Sequence, residues 1–198
     1  MSGVKGRGQY RRIVTGHDEQ GRSMVSEDRA APSVHTNPKR VGYCLTKLWM
    51  TDQMPAFVGN EADPTSRPLK LEPSKNGTVV RIVEFGPEGE WLQKIDADAT
   101  RVAWGAIGTD SASTNRDGKA KHPFMHRTQS VDYCYVIEGE ITLVLDNEEV
   151  LMRQGDFAVE RGTNHAWANR SGKPCKMLFV LIDGQFDPDI ARHLDSAH

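Results

Sequence analysis

Between His126 and Asn169 the chain has little freedom in how it folds. His126-Arg127-Thr128-Gln129-Ser130-Val131-Asp132 leads into Tyr133-Cys134-Tyr135-Val136-Ile137-Glu138-Gly139, and the stretch closes on Gly155-Asp156-Phe157 and Gly162-Thr163-Asn164-His165-Ala166-Trp167-Ala168-Asn169. Val131 to Ile137 is rich in β-branched and aromatic residues and has no helical stripe, which predicts a strand. Gly139, Asp146-Asn147 and Gly155-Asp156 interrupt the apolar runs at short intervals, as tight turns do. Several short antiparallel strands in quick succession imply a sandwich or barrel.

Strand parity then places chemistry. Side chains two residues apart share a face, so an extended backbone puts His126, Thr128, Ser130 and Asp132 together, with Cys134 and Val136 continuing that face. If it is the interior, His165 from a later strand can close on them. Two histidines and a carboxylate with open positions suit a non-haem Fe(II) or, in other geometries, Zn or Mn.

These residues resemble the two motifs of the cupin superfamily. The first motif runs His-x-His, three or four residues, Glu, six residues, Gly; His126-x-Thr128, Asp132 and Gly139 fall in that frame. The second ends Gly, two residues, His, three residues, Asn, as do Gly162, His165 and Asn169, with Gly155 near its head. The resemblance spans about residues 118–183. Thr128 replaces the second histidine, Asp132 replaces Glu, Glu160 and Arg161 precede Gly162 where a proline is expected, and Ala120 takes a glycine position. The resemblance implies an all-β, double-stranded β-helix (jelly-roll) barrel, often dimeric, with a divalent metal (Fe, Zn, Mn or Ni) inside its mouth. Here the implied ligands are His126, Asp132 and His165. Such proteins include oxygenases, isomerases, decarboxylases and lyases, and also non-catalytic ligand-binding modules.

Other residues are candidates for the pocket. His122 precedes His126 by four positions and, along an extended strand, would share its face as a replacement ligand. Thr128 either orients a ligand or simply packs. Trp167 shares parity with His165 and either walls the pocket or fills the core. Arg161 pairs with Glu160 at the mouth, grips a substrate carboxylate with its planar fork, or lies on the surface. Tyr133 and Tyr135 have the opposite parity and should face outward, against another sheet or subunit.

The rest of the 198 residues divides into an N-terminal extension (1–75) packing on the barrel or a partner subunit, the barrel (76–185), and a tail (186–198) able to form a short helix with Asp187 or Asp189 at its start. Arg12–Thr15 and Gly21–Val25 read as a hairpin around Gly16-His17-Asp18. Residues 28–42 read as a loop or extended arm and 51–68 as loop, while Cys44–Met50, Thr78–Phe85 and Cys175–Ile182 read as strands. The polar segment 108–121 is either a lid at the barrel mouth or a plain surface connection.

A net charge of −2 argues against nucleic-acid or anionic-membrane partners. No run of 18 apolar residues exists for a span, and no signal-peptide core follows the N-terminus. Cys44, Cys134 and Cys175 lie far apart with no Cys-x-x-Cys, which favours a reducing compartment and a cytoplasmic setting. The absence of Gly-x-Ser-x-Gly, Walker and His-Glu-x-x-His motifs removes several hydrolase, nucleotide and metalloprotease readings. The expected function is a metal-dependent enzyme acting on a small molecule inside the barrel. The alternative is a non-catalytic barrel serving as sensor or accessory protein. A homodimer is expected in either case.

Overall fold

A computed structural model describes residues 6–95, 97–105 and 112–196. Eleven strands dominate the described residues: β1 (Arg11–His17), β2 (Ser23–Ala30), β3 (Ser33–Thr36), β4 (Cys44–Thr51), β5 (Thr78–Phe85), β6 (Ser130–Glu138), β7 (Glu140–Leu145), β8 (Glu149–Arg153), β9 (Phe157–Arg161), β10 (His165–Ala168) and β11 (Cys175–Asp183). Three helices accompany them, α1 (Glu90–Gln93), α2 (Ala97–Gly105) and α3 (Pro188–Ser196). None of the described helices is long and apolar enough to cross a membrane.

The strands form a six-stranded sheet in the order β3-β4-β5-β11-β6-β9, a three-stranded sheet β10-β7-β8, and the separate hairpin β1-β2, with every pairing antiparallel. The large sheet has a clean inner face. Val79, Val83 and Phe85 of β5, Cys175, Met177, Phe179 and Leu181 of β11, and Cys134 and Val136 of β6 meet Ile141, Leu143, Met152 and Trp167 from the other sheet in one buried cluster. The period of two in these strands produces that layer directly. β11 lies centrally between β5 and β6, with its inward side chains buried and the intervening ones half-buried.

Turns fix the registers. Gly139 links β6 to β7 at φ +85°, and an added Cβ would come within 2.8 Å of the Pro174 carbonyl, so only glycine fits without displacing backbone. Asn169 is fully buried and ties the β10–β11 connection together. Its amide donates to the carbonyls of Phe85 (2.8 Å) and Lys173 (2.9 Å), while its oxygen accepts from the Ser171 N–H and hydroxyl.

The N-terminal region is more ordered than a loop reading of 28–42 allows. β2 runs to Ala30, and β3 adds an edge strand to β4. Pro32, Pro38 and scattered polar groups point to a loop or extended arm, yet the backbone of Ser33–Thr36 pairs. On the outer side of β5, Glu84 accepts from the Gly8 N–H (2.7 Å) and the Tyr10 hydroxyl (2.9 Å), holding the segment before β1 against the sheet. Arg12, buried, joins the hairpin to the loop after β4 by pairing with Glu27 and Asp63. α3 begins where Asp187 caps it, its carboxylate accepting from the Asp189 N–H at 2.8 Å. Of the segment 108–121, residues 108–111 lie outside the described residues. The remainder starts with a bridge from Ser113 to His126.

Candidate functional site

His126 and His165 meet through their main chains. Each N–H donates to the other's carbonyl at 2.9 Å, extending the small sheet by one rung beyond β10, and the two rings lie 4.3 Å apart between centroids. Both side chains are buried. His126 Nδ1 lies 3.0 Å from the Phe124 carbonyl and His165 Nδ1 lies 2.9 Å from the Thr163 carbonyl. A carbonyl oxygen only accepts, so each Nδ1 carries a proton. No described residue hydrogen-bonds to either Nε2. Burial, then the neighbouring His165 and the charges of Arg81 and Arg40, hold His126 well below the usual imidazole range, keeping it neutral.

The face predicted from parity is present: Thr128, Ser130 and Asp132 are all buried. They form a relay in which Thr128 and Ser130 hydroxyls lie 2.8 Å apart and Ser130 donates to Asp132 Oδ1 at 2.6 Å. Asp132 stands opposite Glu160 in the β6–β9 pairing, so two buried carboxyls share the interior. Desolvation raises the Asp132 pKa, against the hydrogen bond from Ser130 and the charge of Arg81. Glu160 accepts from the Thr163 hydroxyl and lies 3.6 Å from His165 Nδ1.

Aromatic rings wall this region. Trp104 from α2 lies 4.6 Å from the His126 ring, and Trp167 lies 5.9 Å from His165 and 5.5 Å from Phe179. Arg40 passes its guanidinium over Phe124 (4.4 Å), Tyr43 (4.8 Å) and Phe85 (5.1 Å). Arg81 projects from the inner parity of β5, between Val79 and Val83, and donates to the Leu71 carbonyl at 3.1 Å.

Two expected pocket residues are placed elsewhere. His122 is buried, but its Nε2 donates to Glu88 at 2.9 Å and its Nδ1 accepts from the Phe124 N–H at 3.1 Å, which uses both nitrogens. The chain turns between them, with Met125 N–H donating to the His122 carbonyl, so the same-face argument for His122 and His126 fails at Pro123. Arg161 is exposed on the outer side of β9, where it lines a groove of about 450 Å³ with Ile190 and Leu194 of α3, and it makes no ion pair with the inward Glu160. Trp104, Arg81 and Arg40 were not anticipated. For Arg81 a signal existed: a charge on the apolar parity of a strand.

A metal centre of the implied kind needs three converging donors. Among the described residues, no group of three or more His, Cys, Asp or Glu side chains has the geometry to hold an ion. The structure brings His126 and His165 together and leaves Asp132 engaged by Ser130 along β6. The side chains present therefore offer two imidazole donors and do not fit a three-ligand centre as arranged.

The architecture is a jelly-roll barrel with a buried imidazole pair and two carboxyls inside. Residues 116–181 match the Cupin domain family. Phomopsin biosynthesis cluster protein C' of Diaporthe leptostromiformis is 51% identical over 184 residues, covering 88% of this chain and 78% of that protein. The cupin-domain-containing oxidoreductase virC of Hypocrea virens is 49% identical over 181 residues (87% and 75%). The cupin-domain-containing oxidoreductase fogC of Aspergillus ruber is 32% identical over 180 residues (87% and 71%). The chain belongs to the cupin family.

Proposed function

We propose that this protein is a cupin enzyme acting on a small organic molecule inside the barrel, with His126 and His165 as its proton-handling groups. The observation that carries the reading is the pair of buried imidazoles, each fixed by a carbonyl at Nδ1 and neither hydrogen-bonded at Nε2 by a described residue. A neutral imidazole of this tautomer accepts a proton at Nε2, and the fixed Nδ1 contact keeps the ring oriented while it does so. Asp132 adds a second proton-holding group, its pKa raised by burial and its carboxyl joined to Ser130 and Thr128. The names of the relatives bring two further elements into the proposal: an oxidoreductase reaction, and a place in a biosynthetic gene cluster.

A second reading is metal-dependent. It would hold Fe, Zn, Mn or Ni on His126, His165 and Asp132, and it requires Asp132 to leave Ser130 and turn towards the imidazoles. A bound ion would supply Lewis-acid or dioxygen chemistry. The proposal also includes a cytoplasmic setting, consistent with three free buried cysteines. It keeps the division into arm (1–75), barrel (76–185) and tail (186–198). A homodimer is supported by the outer face of β6 and β9, where Tyr133, Tyr135, Phe157 and Val159 are exposed. A monomeric mass in light scattering removes the dimer.

The test is metabolite profiling. Small-molecule extract is incubated with the protein alone and with each of the four ions. The enzyme reading expects specific features to be consumed by native protein and spared by His126→Gln and His165→Gln. If no feature changes under any condition while native mass spectrometry shows a retained small molecule, the protein is a non-catalytic binder.

A further inference from the structure

Folded proteins leave very few buried hydrogen-bonding atoms unsatisfied. Among the described residues, two buried side-chain atoms lack a partner: Arg81 Nε and Trp104 Nε1. Both residues are only 6% exposed. They come from different parts of the chain, β5 and α2, yet both belong to the surroundings of His126. The Trp104 ring lies 4.6 Å from the His126 ring, and the Arg81 charge is among those that depress the His126 pKa. Leu71, whose carbonyl takes the Arg81 Nη1 proton, packs in the same apolar cluster as Trp104 and Phe124.

Both orphan atoms are N–H donors, so what they lack is an acceptor. One is charged, and Arg81 has no carboxylate within ion-pair distance among the described residues. Arg40, the other cation near the site, differs: three rings cover its guanidinium and the Trp167 carbonyl takes an Nη2 proton. The surrounding walls are apolar and aromatic. A small ligand completing this site would carry a flat, delocalised oxygen anion on an apolar body. A neutral alcohol or an amine would leave the guanidinium with no anion in contact, only the longer-range charge of Asp132.

We infer that Arg81 and Trp104 are substrate-binding residues, that together they receive a planar oxyanion, and that the substrate is accordingly a carboxylate or a stabilised enolate. The inference rests on the reading of the barrel interior as the substrate site and names the substrate class for it. With the oxygen anion held on these donors, the neighbouring carbon framework would lie beside His126.

Two variants separate binding from folding. Trp104→Phe removes the indole N–H and keeps an aromatic ring, and Arg81→Gln removes the charge. Benzoate and the enolate of 1,3-cyclohexanedione, both ionised at neutral pH, represent the two sources of the anion. Benzyl alcohol and cyclohexanone are their neutral counterparts. Titration calorimetry of native protein should show at least one anion binding more tightly than its neutral counterpart. Each variant should weaken that anion about tenfold or more, as loss of a hydrogen bond to a charged group does. Trp104→Phe should also leave the ligand-free melting temperature unchanged or higher, because it removes an unsatisfied donor. A purely structural role predicts the reverse, a lower melting temperature with binding unchanged, and would overturn the inference. So would anions and neutral counterparts binding equally to native protein. His126→Gln serves as the control for the parent reading. If turnover never appears but anion binding still depends on Arg81 and Trp104, the substrate class stands and the enzyme reading fails.

Discussion

His126 and His165 are joined by two reciprocal main-chain hydrogen bonds of 2.9 Å, so the imidazoles of two strands distant in sequence are held as a fixed pair rather than meeting by side-chain reach alone. That rung sets their separation before any ligand arrives, and the carbonyls of Phe124 and Thr163 set their orientation. Preorganisation of this kind is where a proton-transfer site gains rate.

Replacing either imidazole with Gln should leave the fold intact, since the main-chain rung remains, and should reduce substrate consumption by about 100-fold or more. Circular dichroism confirms the fold, and loss of the consumed feature in the metabolite profile measures the activity. Undiminished turnover in both variants would place the chemistry elsewhere.

Metal loading has a definite expectation. With two imidazole donors and Asp132 held by Ser130, protein incubated with Fe(II), Zn, Mn or Ni and then desalted should retain less than one ion per chain, measured by elemental analysis. Stoichiometric retention that disappears in His126→Ala and His165→Ala would make the metal-dependent reading the correct one.

Acid should loosen the attachment of the β1–β2 hairpin. Asp63 is held well below the usual carboxylate range, chiefly by Arg12 and further by Thr65. Because its folded pKa is depressed, its contribution is fully present above the unfolded value of about 3.9 and is lost as pH falls through the folded value. Asp63→Asn should therefore be less stable than native protein at pH 7, and the gap should close below about pH 4. Arg12→Met, which leaves Glu27 and Asp63 with only the exposed Arg29 as a cationic partner, should cost about 3 kcal/mol in urea unfolding at neutral pH.

The three cysteines should be silent in the folded state. Burial raises all three thiols, Cys175 to about 12. At pH 8 they stay protonated, so Ellman's reagent should find no thiol until denaturant is added. One fast-reacting thiol in native protein would contradict this burial.

Asn169→Ala removes four hydrogen bonds at a fully buried position and takes the amide donor from the buried Phe85 carbonyl. A loss of about 2–4 kcal/mol is expected, read as a lower denaturation midpoint.

Most of the barrel was legible in the sequence because a period of two with glycine turns has few alternative readings. Thr78–Phe85 matches β5 residue for residue, and the alternation from His126 to Asp132 placed four polar side chains inside as anticipated. His122 was misjudged because parity holds only while the backbone stays extended, and the chain turns at Pro123. Arg161 takes the surface alternative, because adjacent residues of a strand face opposite ways and Glu160 holds the inward position. α2 has no apolar stripe to announce it, yet it carries Trp104 to the His126 ring. Thr128 shows the limit of motif reading. Its place in the frame was evident, but its hydrogen bond to Ser130, and through it the engagement of Asp132, depends on side-chain geometry.

The pairing of Asp132 with Glu160 has a consequence for redesign. β9 contributes acid to the interior only because the turn at Gln154–Asp156 delivers it in this alignment with β6. Deleting one residue from that turn would slide β9 by a single position, bringing Arg161 inward opposite Asp132 and turning Glu160 out to solvent. A single deleted amino acid, touching neither histidine, would thereby reverse the sign of the charge that faces Asp132.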